Sequence, residues 1–522
     1  VLFNSYGFIF LFVPIVAVGF FLFARIGTQW AATWLVAASY FFYAYWNPKY
    51  LIPLLISIAI NYEIGTAIAK RVADGRRATA RTILVWGIVF DLALLGYFKY
   101  AGFFVENFAW LVDRHPTIAI TLPLGISFFT FTQLAFLVDA FHGKVTRYNR
   151  IHYGLFVSYF PHLIAGPILH HHEMIPQFER KETYRFSYEN MAVGGTIFFI
   201  GLFKKVILAD GISVHVDPVF DAAAIGLPLS LVEAWGGVLS YALQLYFDFS
   251  GYSDMAIGVS RMFGIALPLN FYSPYKAASI IEFWQRWHMT LSRFLRDYLY
   301  IPLGGNRKGP SRRYVNLMLT MLLGGLWHGA GWTFVVWGGL HGAYLIVNHA
   351  WRALRVKLGQ DPRQPLSAPW KAASVLVTFF CVTVAWAFFR AKNLPAAEAM
   401  IAGMFGRNGI GLSQSLLRDF GAAGEWLVAH GFGAPGAVDN FLVNSSTLAW
   451  IAVLMLVTWI APNTHQLMNR YERVTNVPDI AGDRPPRFVW NPTMAAAALT
   501  CVIALAAIVN LNARSAFLYF QF

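Results

Sequence analysis

The chain has 522 residues, of which 57% are hydrophobic and 13% charged, and a formal net charge of +14. A soluble globule carries about 25% charged residues, so this chain has too little polar surface to coat itself in water. Its basic residues cluster between apolar blocks and form no accessible basic domain, which argues against a nucleic-acid partner and for membrane lipid as the surrounding medium.

Apolar blocks run near 4–24, 30–46, 51–69, 82–101, 118–140, 151–169, 192–214, 232–262, 332–350, 372–390, 447–461 and 493–511. A crossing of the hydrocarbon core takes roughly 20 residues of helix. The blocks are continuously apolar and do not alternate every second residue, so they predict helices and not the strands of a barrel. The first block is followed by no small-residue cleavage site and reads as a retained span. Asp91 is a lone carboxylate within its block. The two cysteines, Cys381 and Cys501, sit in separate blocks and read as small buried residues.

Dense positive charge marks the connections Lys70–Arg81, Arg307–Arg313 and Arg352–Lys371, and Lys144, Arg147 and Arg150 extend the pattern. The positive-inside bias places these in the cytoplasm and the N-terminus outside. Arg180, Lys181 and Arg185 do not fit simple alternation, so block 151–169 is either a span or a re-entrant segment. His170, His171 and His172 follow it. Adjacent histidines on a helix point in different directions, so this run predicts a solvated loop or helix end and no metal site.

Block 232–262 contains a polar island: Asp248, Ser250, Tyr252 and Asp254, with Gly251 and Ser253. Carboxylates in a membrane interior need partners or a cavity. The island either fixes helix packing or lines a substrate path. From Lys276 to Pro302, Ile280, Trp284, Trp287, Leu291, Leu295 and Tyr298 recur at helical spacing. This predicts an amphipathic helix, with His288 on its apolar stripe and turned away from bulk water.

Tyr314 to Trp351 is flanked by basic residues on both sides. From Tyr314 to Trp327 a helix extends roughly 21 Å, short of the ~30 Å core. Gly329, Ala330 and Gly331 then permit a tight turn. The segment therefore predicts a hairpin with its tip in the membrane, His328 at that tip and a polar cavity beside it. His341, on the longer leg, reads as structural. Residues 391–446, with Gly-rich runs 406–411 and 431–436, predict an external loop region with short surface helices. The expected domain organisation is one membrane domain over 1–522, with a catalytic core at about 118–350.

An ionisable residue in a membrane interior points to function, and histidine can take and return a proton near neutral pH. His328 and His288 are accordingly the candidate catalytic pair for acyl transfer to a hydroxyl. A structural hydrogen bond between helices is the alternative for each. No Gly-x-Ser-x-Gly elbow is present, which favours direct transfer over a serine acyl-enzyme.

Several segments, in order, carry a resemblance. They are Pro161–Pro167 (PHLIAGP), Tyr246–Gly258 (YFDFSGYSDMAIG), Asn270–Tyr275 (NFYSPY) and Glu282–His288 (EFWQRWH). Arg296–Asn306 (RDYLYIPLGGN), Leu326–Gly329 (LWHG) and Trp337–Gly342 (WGGLHG) complete the set. Together they resemble the membrane-bound O-acyltransferase (MBOAT) family, in its branch that acetylates bacterial polysaccharides such as alginate. The ending Phe517–Phe522 is similar to that branch as well.

The resemblance implies an all-α polytopic fold, a ring of about 11–13 transmembrane or re-entrant helices around a central cavity. It implies His328 as general base and His288 as the second characteristic histidine, orienting the donor or stabilising developing charge. Asp248, Ser250, Tyr252, Asp254, Asn270, Trp327 and Trp287 become candidates for the cavity and substrate path, and Arg307 and Lys308 for a basic donor-side mouth. No bound cofactor or metal is expected. The donor would be acetyl-CoA or another acyl thioester in the cytoplasm. The acceptor would be an extracytoplasmic polysaccharide, reached directly or through a periplasmic acetyltransferase partner, with the chain in the bacterial inner membrane. The alternatives are D-alanyl transfer to teichoic acid from a carrier protein, a polysaccharide-export transporter, and an assembly scaffold.

Overall fold

The computed structural model describes residues 2–109, 120–145, 149–164, 166–361, 364, 366–412, 414–430, 442–471, 474, 476, 489–511 and 517–518. Arg147, Arg363, Ala165, the Gly-rich run 431–436 and the final residues 519–522 lie outside them. Among the described residues the regular structure is entirely helical. In chain order the first helices are α1 (Phe8–Ile26), α2 (Thr28–Ala44), α3 (Leu51–Ala73) and α4 (Arg77–Phe108). After them come α5 (Ile126–Phe141), α6 (Arg150–Ser158), α7 (His171–Glu179), α8 (Tyr188–Ser213), α9 (Asp217–Ala224) and α10 (Leu231–Met262).

The second half holds α11 (Ile280–Arg286), α12 (Met289–Leu295), α13 (Gly309–His328), α14 (Trp332–Lys357) and α15 (Ala368–Arg390). It closes with α16 (Leu394–Met404), α17 (Ser445–Ile460), α18 (Thr464–Met468) and α19 (Met494–Val509).

Five helices, α1, Pro48–Ala73, α4, α8 and α15, are long and apolar enough to cross a membrane. Their outward faces carry large apolar side chains such as Phe10, Leu11, Ile15, Leu22, Trp86 and Leu92. A water-facing surface would hold polar residues there, whereas lipid accepts apolar ones.

Block 151–169 is not a span. Its helix α6 has nine residues, about 14 Å at 1.5 Å per residue, and ends where Pro161, Gly166 and Pro167 interrupt it. Asp91 is buried and accepts a hydrogen bond from Asn61 Nδ2 at 2.8 Å. Cys381 is half-buried and Cys501 is exposed on the outward face of α19, so the expectation of burial fails for Cys501. In the region assigned to an external loop with short surface helices, Ala422–Ala429 is such a helix, short and mostly exposed, whereas α16 buries Ala396, Ala397 and Met400 and packs on α9 and α10.

Two tight helix pairs position the centre. In α8 and α10, Gly194 and Gly201 face Gly258 and Gly251, each pair seven residues apart. A Cβ placed on Gly201 would lie 2.6 Å from Gly251 O, and one on Gly251 would lie 2.7 Å from Gly201 O. Such close backbone approach is how helices gain packing in lipid, where the hydrophobic effect between them is absent.

The second pair is the expected hairpin, α13 and α14, joined by Gly329–Gly331. Its first leg begins at Gly309 and has 20 residues, about 30 Å, as long as the hydrocarbon core is thick, so the short leg expected from Tyr314–Trp327 does not by itself keep the tip inside the membrane. Gly325 and Gly338 let the two backbones touch: an added Cβ on Gly338 would collide with Met321 O, and one on Gly325 with Phe334 O.

Candidate active site at the hairpin tip

His328 is the last residue of α13, buried, with Gly329 extended beside it (φ −159°, ψ 148°). Its ring meets Trp327, Trp337 and Phe389 at centroid distances of 5.0, 5.0 and 5.2 Å. The His288 ring lies 6.4 Å away, centroid to centroid, at 64°. That spacing exceeds direct hydrogen-bond reach between the rings.

The predicted amphipathic helix over 276–302 is broken at its functional residue. Trp287 is extended, and His288 adopts a left-handed conformation (φ 41°, ψ 54°) between α11 and α12. Asn270 takes over where the helix ladder stops. Its carbonyl accepts from Met289 N at 3.0 Å. Its side-chain Oδ1 accepts from Thr290 Oγ1 at 2.9 Å and pairs with His288 Nδ1 at 3.0 Å. Thr290 Oγ1 in turn accepts from Ile168 N at 3.0 Å.

This chain of donors fixes the polarity. The Thr290 hydroxyl accepts from a backbone N–H and so donates to Asn270 Oδ1, and that oxygen then requires Nδ1–H from His288. The neutral imidazole therefore carries its lone pair on Nε2, and Nε2 is buried without a hydrogen-bond partner among the described residues. Neutral His288 is thus an acceptor. To stabilise developing negative charge it would first have to be protonated.

The other sequence candidates divide. Trp327 walls the site: its ring lies 6.2 Å from His288 and stacks on Phe131 at 5.1 Å. Trp287 packs behind the pair, 5.0 Å from both Phe271 and Trp386. From α10, the residue that reaches the site is Phe249, 4.9 Å from His288.

The polar island itself faces α8 and the C-terminal region. Asp248 pairs with Lys205 at 2.7 Å and accepts from Leu518 N at 3.0 Å. Asp254 pairs with Lys204 at 2.6 Å and accepts from Thr464 at 2.6 Å. Tyr252 stacks between Phe3 and Phe517, and Ser250 is buried. With both carboxylates occupied by lysines, the geometry favours the packing alternative over a substrate path. Arg307 and Lys308 are exposed just before α13. A 20-residue helix separates them from His328, so they can influence only what enters from that end.

His170 and His171 are buried, contrary to a solvated loop, and only His172 is exposed. The helix begins at His171 and His170 is extended, so the rings of His170 and His172 come within 5.4 Å. Asp139 completes a group whose potential ligand atoms lie within 4.8 Å of one another. Asp139 already takes Lys144 at 3.2 Å, Tyr298 at 2.9 Å and His171 at 3.4 Å, and His170 Nδ1 pairs with Tyr298 OH at 3.1 Å, while His170 Nε2 is buried without a hydrogen-bond partner among the described residues. His341 is fully buried in an aromatic cage, 4.8 Å from Trp337 and 5.2 Å from Trp284.

Sequence reading missed Lys99 and Tyr100. Both belong to a π-helical turn of α4, Gly96–Tyr100. The signal was available: Lys99 is an ionisable residue within an apolar block. Its ammonium donates to the carbonyls of Trp327 and His328 and to Ser127 Oγ. It also lines a cleft of about 130 Å³ with Trp46, Leu122, Gly125, Ser127 and Ile164. His328 is not among the residues lining this cleft; Lys99, which does line it, donates to the His328 carbonyl.

Residues 71–389 match the sequence model described as MBOAT, membrane-bound O-acyltransferase family. A peptidoglycan O-acetyltransferase of Helicobacter pylori is 46% identical over 440 residues, covering 79% of this chain and 81% of that protein. A protein named probable alginate O-acetylase from Pseudomonas putida is 38% identical over the full length of both chains. Its namesake in Pseudomonas aeruginosa is 42% identical over 409 residues, 77% of this chain and 74% of that one.

Proposed function

This chain belongs to the membrane-bound O-acyltransferase family and is an O-acyltransferase, and from that premise we propose that it carries an acetyl group across the bacterial inner membrane. The donor is a cytoplasmic thioester, acetyl-CoA or an acetylated carrier. The destination is an extracytoplasmic polysaccharide of the alginate or peptidoglycan kind, reached directly or through a periplasmic partner transferase. The names of the relatives support acetyl as the group. The N-terminus lies on the periplasmic side, with the basic segments near Lys70, Arg307 and Arg352 in the cytoplasm.

The observation that carries this reading is the buried pair at the hairpin tip, His328 facing His288 across 6.4 Å. His328 acts as general base. It takes the acceptor's hydroxyl proton as the oxygen bonds to the acyl carbon, the carbon–sulfur bond breaks, and the departing thiolate receives the proton. His288 Nε2, presented as an acceptor by Asn270, holds an N–H of the thioester donor in line. Arg307 and Lys308 draw the anionic thioester donor to its mouth. The lysine-lined cleft lies toward the end of α4 remote from Arg77, the side from which a periplasmic acceptor arrives.

The test is transfer of radiolabelled acetyl from acetyl-CoA by the purified protein in nanodiscs, wild type beside His328→Ala. General-base help contributes roughly 10²–10⁴-fold, so the variant should insert normally and lose transfer by that factor. Undiminished transfer by a well-folded His328→Ala protein would overturn the mechanism. Flux of donor or polymer without acyl transfer would instead favour a transporter.

A further inference from the structure

We infer that Lys99 is a positioning residue for the acyl transfer, clamping the end of α13 with Tyr100 and so fixing where His328 sits. The inference rests on the reading of His328 as general base. It begins with an unmet need of the backbone. A helix leaves its last carbonyls without intrahelical partners, and α13 stops in the protein interior because Gly329 and Gly331 are extended. Carbonyls buried there still need hydrogen-bond donors, and neighbouring side chains can supply them.

Two adjacent side chains of α4 supply them. Tyr100 OH donates to Leu326 O at 2.9 Å, and Lys99 Nζ donates to Trp327 O and to His328 O, the latter at 3.1 Å. Three consecutive carbonyls, ending on the candidate base, are thereby tied to one turn of a neighbouring helix. Neighbours on a regular α-helix do not face one target. Here both belong to the π-helical turn Gly96–Tyr100, a distortion that recurs at functional sites.

The number of protons decides between clamp and ligand site. Lys99 lines the cleft, and a free ammonium there could seize an anionic acceptor. An ammonium has three donors, and Trp327 O, His328 O and Ser127 Oγ at 3.3 Å account for all three. Its charge faces the negative end of the α13 dipole. The ammonium also lies 5.7 Å from the centroid of the Trp327 ring, which separates Phe131 from the two histidines. Lys99 thus holds both the base and one wall of its site.

The test measures kcat and KM with acetyl-CoA and a mannuronate oligosaccharide for wild type, Lys99→Met, Lys99→Arg, Tyr100→Phe and His328→Ala, with thermal unfolding of each. A misplacement of about 1 Å costs roughly 10²-fold in rate. Lys99→Met should therefore lose about that much in kcat with both KM values within about twofold, and Lys99→Arg should recover a large part. Tyr100→Phe, which removes one donor, should show a smaller kcat loss of the same kind.

A folded Lys99→Met protein with kcat within about threefold of wild type overturns the clamp. A loss confined to KM for the oligosaccharide also overturns it, in favour of an acceptor-binding lysine. Should Lys99→Met fail to fold, Tyr100→Phe decides, since wild-type kcat there overturns the clamp. Transfer that survives in His328→Ala would sink the general-base reading itself, an outcome distinct from any result at Lys99.

Discussion

At the scale of single residues, the site depends on a histidine in a conformation that favours glycine. His288 and Ser273 are the non-glycine residues at positive φ among the described positions, and a left-handed L-residue costs roughly 1–2 kcal/mol. Asn270 sustains that conformation by serving Met289, Thr290 and His288 at once. The sign of the strain can be measured. His288→Ala and His288→Gly both remove the imidazole and its bond to Asn270, but only glycine is relieved of the left-handed cost. His288→Gly should therefore be the more stable of the two by about 1 kcal/mol in thermal unfolding, and both should be inactive. Equal stability would mean that the kink relaxes once the ring is gone.

The elements show why position in the fold, more than residue type, selects function. The carboxylates Asp248 and Asp254, in an apolar block, left packing and a substrate path both open, and α8 brings Lys205 and Lys204 against them. The hairpin depends on bare backbone at its crossing. Gly338→Val would push a side chain into Met321 O, and overpacking of this kind costs about 1–3 kcal/mol. The Val variant should unfold at lower temperature and lose activity, since α13 cannot move without displacing His328. Gly195→Ala is the control: its Cβ would meet only Met262 Cε at 3.8 Å, and helix propensity favours alanine there. Equal behaviour of the two variants would remove the case for a close-packed hairpin.

For the whole molecule, the proposal requires two faces with different tasks. Arg307 and Lys308 open one end of α13, and His328 closes the other. In a cysteine-free background, Arg307→Cys should react with a membrane-impermeant maleimide only when the cytoplasmic side is exposed. Arg407→Cys, exposed beyond α16, should react from outside. The reverse pattern would invert the assigned direction of transfer.

The blocks of apolar sequence determined that the chain is helical and membrane-embedded, because lipid leaves a backbone few other ways to satisfy itself. Most helix positions were legible for the same reason, as were His328 at a glycine-terminated hairpin and the family resemblance carried by the LWHG and RWH segments. Four matters depended on tertiary contacts. The break at His288 needs Asn270, 18 residues away. The neutralisation of Asp248 needs Lys205 from another helix. The gathering of His170, His172 and Asp139 needs α5 against α7. The capping of His328 needs Lys99, 229 residues earlier. Periodicity reports which face of a helix is apolar, and it carries no information about which distant donor meets a given carbonyl. That pairing is decided only when the helices pack.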